Sequence, residues 1–194
     1  MADPHDTLGP VGRAVHAMAR GLALAGGAIL VALALVTVVS ILGRALSGLG
    51  LGPVRGDYEL VANGVALAVF YALPWCQLRR GHVTVDVLTA RLPGRVHAAL
   101  GLLGEALLTL AAAVILVQLW AAFAERVPLG GPALREALGL GPPPFFAETT
   151  FELQIPVWTL YGAALVGAAA MLVTGLYTTA RAARWVAAGQ EDRA

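Results

Sequence analysis

The sequence predicts an all-α integral membrane protein with four transmembrane helices, a short cytoplasmic interfacial helix between the second and third, and both termini in the cytoplasm. Hydrophobic residues make up 58% of the 194 residues and charged residues only 13%, whereas soluble domains average about 25% charged residues. The mean hydropathy is +0.76. Most of the charges lie in connections between four long apolar runs. We expect residues 1–194 to form a single membrane domain.

The composition excludes several classes of function. The formal net charge is +1 and the 13 basic residues are scattered between apolar runs, so we expect no nucleic-acid partner. Cys76 is the only cysteine, which rules out an intrachain disulfide or a cysteine zinc cluster. The four histidines lie outside the apolar runs, so two intramembrane histidines cannot hold a haem. The sequence has no lysine for a phosphate-binding loop and no nucleophile with a spaced base. We expect neither an enzyme nor a cofactor or metal.

The first predicted span covers residues 21–42, which contain no charged residue and follow a polar head. At 1.5 Å per residue this run is about 33 Å long, enough to cross the hydrocarbon layer. A cleavable signal peptide is the alternative. The run is longer than a usual signal-peptide core and no Ala-x-Ala site follows it, so we interpret it as a retained span.

The second predicted span, residues 58–78, carries nearly all of its polarity on one face. The residues that share this face at helical spacing are Glu59, Asn63, Ala66, Phe70, Pro74 and Gln77. Polar side chains are costly in lipid, so we expect the face to point at protein. Trp75 fits an anchor at the membrane interface, and Pro74 beside it predicts a kink.

The third predicted span, residues 98–124, contains Glu105 about two turns from its start. A carboxylate at that depth costs free energy unless it is paired, protonated or near the interface. A functional interpretation is an ion or proton site. The structural alternative is a partner for an arginine, either Arg95 or one of another subunit. We favour the structural alternative because a single acid makes a poor relay.

The fourth predicted span, residues 155–177, follows the longest polar connection, residues 125–154. Pro156 suits a helix start, and Trp158 and Tyr161 suit anchors at the membrane interface. Within the connection, residues 133–140 are compatible with two helical turns. Nine arginines lie in the head, the central connection and the tail, and four lie in the other two connections. This asymmetry places the termini and the central connection in the cytoplasm.

The central connection breaks the apolar sequence with several charges. As a helix, residues 81–92 place Val83, Val87, Leu88 and Leu92 on an apolar stripe, a pattern that suits the membrane surface. The alternative is an ordinary cytoplasmic loop whose arginines only determine orientation.

Three polar stretches lie at the ends of the predicted spans. They are Asp57-Tyr58-Glu59-Leu60; Arg79-Arg80-Gly81-His82-Val83-Thr84-Val85-Asp86-Val87-Leu88, ending with Leu92-Pro93; and Glu148-Thr149-Thr150 with Leu153-Gln154-Ile155-Pro156-Val157-Trp158. With the length and the four-span layout, they resemble the small membrane subunit of tripartite ATP-independent periplasmic (TRAP) transporters, the DctQ-like family. The Gly- and Pro-rich loop at 128–144 is extended relative to the usual form of that family.

The resemblance implies an inner-membrane complex of this chain with a large multi-span subunit, fed by a periplasmic solute-binding protein. In such systems an ion gradient, usually of sodium, drives uptake of an organic acid such as a dicarboxylate or sialic acid. The small subunit is thought to brace the scaffold of an elevator-type transporter. The resemblance also implies that segment 81–92 lies on the cytoplasmic surface of the lipid bilayer. The residues expected at lipid headgroups are Arg79, Arg80, Gly81, His82, Asp86 and Arg91.

Two further hypotheses concern the contacts of this chain. Glu59 and Asn63 are expected to pack on the large subunit or to support the bundle, and Glu105 is a candidate for the same role. The outward loops, especially residues 125–154, are expected to help dock the binding protein. A rival hypothesis is a self-sufficient homo-oligomeric exporter or channel that uses Glu105. A third is a structural tetraspan scaffold without a transport partner.

Overall fold

The fold is an all-helical bundle, as the sequence predicts. The computed structural model describes residues 9–79 and 94–187. Its helices are α1 (Pro10–Ala45), α2 (Asp57–Leu78), α3 (Gly94–Arg126), the short α4 (Pro132–Leu138) and α5 (Val157–Ala187). Within the described residues, α1, α2, α3 and α5 are long and apolar enough to cross a membrane. The predicted interfacial segment 81–92 lies outside the described residues.

Helix α1 begins about three turns before the predicted first span. Pro10 occupies its first turn, where a missing backbone N–H is harmless, so the polar head continues into the helix. Val15 and Ala19 are buried against Leu78 at the end of α2, with Trp75 and Tyr177 packed beside them. This contact explains why the head is helical although its charges keep it out of the predicted apolar span.

Helices α2 and α5 form the centre of the bundle. Helix α1 packs mainly against α2, and α3 packs mainly against α5. The α2–α5 contact is very close: a Cβ atom added to Gly167 would lie 2.6 Å from the carbonyl oxygen of Phe70. In the α1–α2 contact, a Cβ atom on Gly26 would lie 2.9 Å from the carbonyl oxygen of Ala68. Glycine at these two positions therefore sets the distance between the helices.

The two ends of the bundle differ in how they are closed. We call the end with connections 46–56 and 127–156 the loop end, and the end with the start of α1 and the end of α5 the terminal end. At the loop end, the 46–56 connection contains a short 3-10 turn, Ser47–Leu49, and reaches α2 through Gly56 in the left-handed conformation. A Cβ atom on Gly56 would also collide with Leu153, so this glycine permits the loops to meet.

Candidate functional site

A reciprocal set of hydrogen bonds joins the two connections at the loop end. The carboxylate of Glu59 accepts the backbone N–H groups of Glu152 at 2.7 Å and Leu153 at 3.1 Å. The carboxylate of Glu152 in turn accepts the backbone N–H of Gly56 at 2.6 Å. We call Gly56, Glu59, Glu152 and Leu153 the loop-end junction. It holds the start of α2 against the segment that leads into α5.

The segment before α5 folds as a small hairpin, residues 148–157, whose tip enters the loop-end junction. Thr150 N–H donates to the Ile155 carbonyl and Val157 N–H donates to the Glu148 carbonyl, both at 2.9 Å. Gln154 has a φ of +53°, and its side-chain amide donates to the Phe151 carbonyl at 2.8 Å, which closes the tip. Two of the three stretches noted in the sequence, 57–60 and 148–158, thus meet in space.

A second polar contact at the loop end ties α1 to α2. The carboxylate of Asp57 accepts hydrogen bonds from the Ser40 hydroxyl and the Arg44 guanidinium. Ser40 is fully buried, whereas Arg44 remains largely exposed. Neither partner stands out in the sequence, because Ser40 and Arg44 are ordinary residues near a helix end and only the fold brings Asp57 beside them.

Glu105 lies in a polar joint between three helices. Its carboxylate accepts the Gln77 side-chain amide of α2 at 2.6 Å and the Thr178 hydroxyl of α5 at 2.7 Å. Gln77 is only 1% exposed and Thr178 is also buried. Nearby, the hydroxyl groups of Thr109 and Thr179 lie 2.9 Å apart and join α3 to α5 again.

The donors to Glu105 are thus neutral side chains of this chain, and they hold α2, α3 and α5 together. The sequence suggests an arginine partner instead, and the side chain of Arg95 lies outside the described residues. Among the described residues, no group of three or more His, Cys, Asp or Glu side chains could hold a metal ion. The Glu105 arrangement therefore supports a structural role for this carboxylate.

Asn63 and Tyr161 line a groove of about 220 Å³ between α2, α3 and α5. The Asn63 side chain donates to the carbonyl of Glu59 one turn earlier at 2.9 Å. The remaining lining residues are apolar: Ala66, Leu67, Phe70, Leu119, Leu160 and Ala164. The polar face of α2 therefore points partly at the bundle, through Glu59 and Gln77, and partly into this groove.

The predicted aromatic anchors lie near opposite ends of the bundle. Trp75, at the terminal end, stacks under the guanidinium of Arg79 at 4.8 Å and meets the His16 ring edge-on. Trp158, at the loop end, packs against a cluster formed by Ala124, Val127 and Leu140. Tyr161, also near the loop end, lies under the guanidinium of Arg126 at 5.0 Å. The remaining headgroup candidates, Arg80, Gly81, His82, Asp86 and Arg91, lie outside the described residues.

Arg135 is a structural residue that sequence reasoning missed. It is 4% exposed, although it lies in the Gly- and Pro-rich loop. Its guanidinium donates hydrogen bonds at 2.8 to 3.2 Å to five backbone carbonyls, those of Val127, Leu129, Leu140, Gly141 and Pro142. One side chain thus replaces regular secondary structure as the internal hydrogen-bond partner of this loop.

Comparison with known proteins decides the family. The model of the tripartite ATP-independent periplasmic transporters, DctQ component, matches residues 33–184. The chain belongs to the DctQ family. The matched range covers all of α2, α3, α4 and the loop-end junction, and it confirms the resemblance drawn from the sequence. A search of the curated proteins and a search of the solved structures gave no significant match.

Membership in DctQ establishes the broad role of the chain. DctQ proteins are the small membrane component of TRAP transporters, a transporter family and not an enzyme family. The described residues include four helices that are long and apolar enough to cross a membrane, so this DctQ protein is a multi-pass protein of the bacterial inner membrane. Membership also implies a complex with a large membrane subunit and a periplasmic binding protein.

Proposed function

We propose that this DctQ protein braces the large membrane subunit during ion-gradient-driven uptake of an organic acid, a dicarboxylate or a sialic-acid-like solute. The observation that carries this proposal is the use of two helix-borne acids, Glu59 and Glu105, which both accept hydrogen bonds from groups of the same chain. Glu105 joins three helices, and Glu59 joins α2 to the hairpin that leads into α5. Such bonds stiffen a bundle, as a brace requires. The periplasmic binding protein delivers the solute.

The surface of the bundle supports a role beside a second membrane protein. Large apolar side chains of α1 and α3 are exposed along nearly the whole helices, because each helix packs mainly on one neighbour. The groove between α2, α3 and α5 presents the polar side chain of Asn63 beside this largely apolar surface. We place the large subunit against this groove and the adjoining face of α3, with lipid on the other faces.

Copurification and uptake together test the proposed function. A tagged chain extracted from native membranes in mild detergent is expected to bring down a large multi-span protein in about equal amount. The reconstituted pair should take up solute only when the binding protein and an ion gradient are present. Recovery of copies of this chain alone, with transport that Glu105→Gln abolishes, would instead establish the self-sufficient exporter.

Glu59→Gln is expected to weaken the loop-end junction without removing the side chain. A hydrogen bond to a charged group contributes about 1.5 to 3 kcal/mol, and the neutral amide accepts two backbone N–H groups less strongly. The midpoint of thermal unfolding of the purified chain should therefore fall. Glu125→Gln, a change at a carboxylate that is largely exposed, serves as the control and should leave the midpoint unchanged.

The Asn63→Ala variant tests whether Asn63 supports the bundle or contacts the large subunit. Asn63 bonds only to its own helix among the contacts described, so the thermal stability of the isolated chain should change little. Recovery of the large subunit should fall, because the groove loses its polar contact. Unchanged recovery and unchanged uptake would remove the large subunit from this groove.

We further propose that the tip of hairpin 148–157 helps dock the binding protein. Phe151 at the tip is 90% exposed and Tyr58 beside the junction is 81% exposed, although both belong to segments that are firmly hydrogen-bonded. Exposed aromatic side chains on a rigid support are typical of interaction hot spots. Phe151→Ser should raise the Kd for the binding protein by roughly tenfold. Equal affinity in the variant and the wild type would exclude the tip from the docking surface.

A further inference from the structure

The loop end presents an unusual surface for a part of the chain outside the hydrocarbon layer. Several of its charges make hydrogen bonds within the chain: Asp57 with Ser40, Glu59 and Glu152 in the junction, and Arg135 in its own loop. Several of its large apolar side chains are exposed. In the α3–α5 connection the exposed ones are Leu129, Leu134, Leu138, Phe145, Phe146 and Phe151. Such a patch marks an interaction site.

The α3–α5 connection is held close to the ends of the membrane helices. Leu140 is buried against Ala124 and Val127, with Trp158 at its side. Glu148 accepts a hydrogen bond from Arg126, the last residue of α3, at 3.1 Å. Phe145 and Phe146 lie within three residues of Glu148, which limits them to about 10 Å from it. The aromatic pair is therefore tethered near the end of α3.

The orientation of α4 fits a surface between water and an apolar layer. Leu134 and Leu138 are one turn apart, so they share a face, and both are exposed. Glu136 is also exposed and lies on the opposite side of the helix. Phe145 and Phe146 pack edge to face with their centroids 4.6 Å apart, and Phe145 is 92% exposed. An exposed aromatic pair and a helix with one apolar face, in the same connection, are suited to insertion at a membrane surface.

We propose that residues 129–146 lie in the headgroup layer of the bilayer, with Leu134, Leu138 and the Phe145–Phe146 pair inserted toward the acyl chains. The only basic side chain of this segment, Arg135, is buried in the loop. The contact is therefore apolar and independent of anionic lipid. This places the 129–146 loop on the membrane at the loop end. The inference does not depend on the transported solute or on the large subunit.

Spin-label accessibility measures this insertion directly. Phe146→Cys and Glu136→Cys, each in a Cys76→Ala background, are labelled in the full chain and placed in nanodiscs of zwitterionic lipid. The ratio of oxygen to nickel-chelate accessibility should be about tenfold higher at position 146 than at position 136. A label at Phe145→Cys should give an accessibility ratio similar to that at position 146, which would show that the result does not come from a local distortion at one labelled residue.

Three outcomes would overturn the lipid contact. Equal aqueous accessibility at positions 146 and 136 would place the aromatic pair in water. Insertion that requires anionic lipid would contradict an apolar contact. Protection of position 146 that develops only when the periplasmic binding protein is added would assign the patch to that protein. Failure of the tagged wild-type chain to bring down a large multi-span protein, with the accessibility ratio intact, would count against the proposed function alone.

Discussion

We expect the Gly167→Ala variant to unfold at a markedly lower temperature than the wild-type chain. The added Cβ atom would lie 2.6 Å from the Phe70 carbonyl oxygen and 2.9 Å from the Phe70 Cβ. The colliding groups are backbone and the first side-chain carbon, so α2 and α5 must move apart. Overpacking of this kind costs about 1 to 3 kcal/mol. The unfolding temperature is measured by heating samples of the purified protein and monitoring the folded fraction by size-exclusion chromatography.

Gly104→Ala is the matched control for this substitution. A Cβ atom on Gly104 of α3 would have no neighbour within 4 Å. Alanine is the better helix former by up to about 1 kcal/mol, so this variant should be as stable as the wild type or slightly more stable. The same chemical change is thus expected to act in opposite directions at the two sites. Equal stability of both variants would show that α2 and α5 are not in close contact.

Arg135→Met is expected to open the loop between α3 and α5. Methionine has a similar apolar stem but no donor, so five backbone carbonyls lose their partner. The net loss of these hydrogen bonds, after water replaces the guanidinium as donor, should cost about 3 kcal/mol, equivalent to a roughly 100-fold rise in local opening. Hydrogen exchange of peptides that cover 127–147, measured by mass spectrometry, should accelerate accordingly. Exchange in α2 and α5 should stay unchanged.

The neighbouring variant Glu136→Met provides the control, because Glu136 is exposed on the same short helix. Its exchange rates should match the wild type. The exchange rate of the loop in Arg135→Lys should lie between those of the wild type and Arg135→Met, since an ammonium group has three donors and cannot reproduce the planar guanidinium fork. Fast exchange in the wild-type loop would contradict the hydrogen-bond network around Arg135.

Much of this fold follows from simple patterns in the sequence. The charge-free run at 21–42 predicts the first span, because apolar length reports how much chain can lie in hydrocarbon. The same criterion misses the start of α1 at Pro10. Helicity does not require apolar residues, and the packing of Val15 and Ala19 on α2 is visible only in the fold. An apolar run therefore predicts that a span is present better than it predicts the residue at which the helix begins.

For the candidate site, the sequence indicates some of the individual residues but not their partners, which are distant along the chain. Glu59 and Asn63 are singled out by their positions on one helical face, which is a local property. The partners of Glu59 lie more than 90 residues away, and no spacing rule connects them. Arg135 is harder still, because its partners are backbone carbonyls that every residue possesses. No side-chain pattern in the sequence therefore indicates that Arg135 holds this loop together.

The separation of the loop-end junction along the chain has a consequence for biogenesis. Glu59 precedes the backbone amides that it binds by 93 and 94 positions. At about 5 to 20 residues per second, the ribosome needs roughly 5 to 20 s to supply them. During that interval the nascent α1–α2 pair carries an unpaired carboxylate at its edge. The hairpin that leads into the last helix therefore completes the α1–α2 pair, and we expect a chain that terminates before residue 152 to leave the Glu59 carboxylate without these two partners.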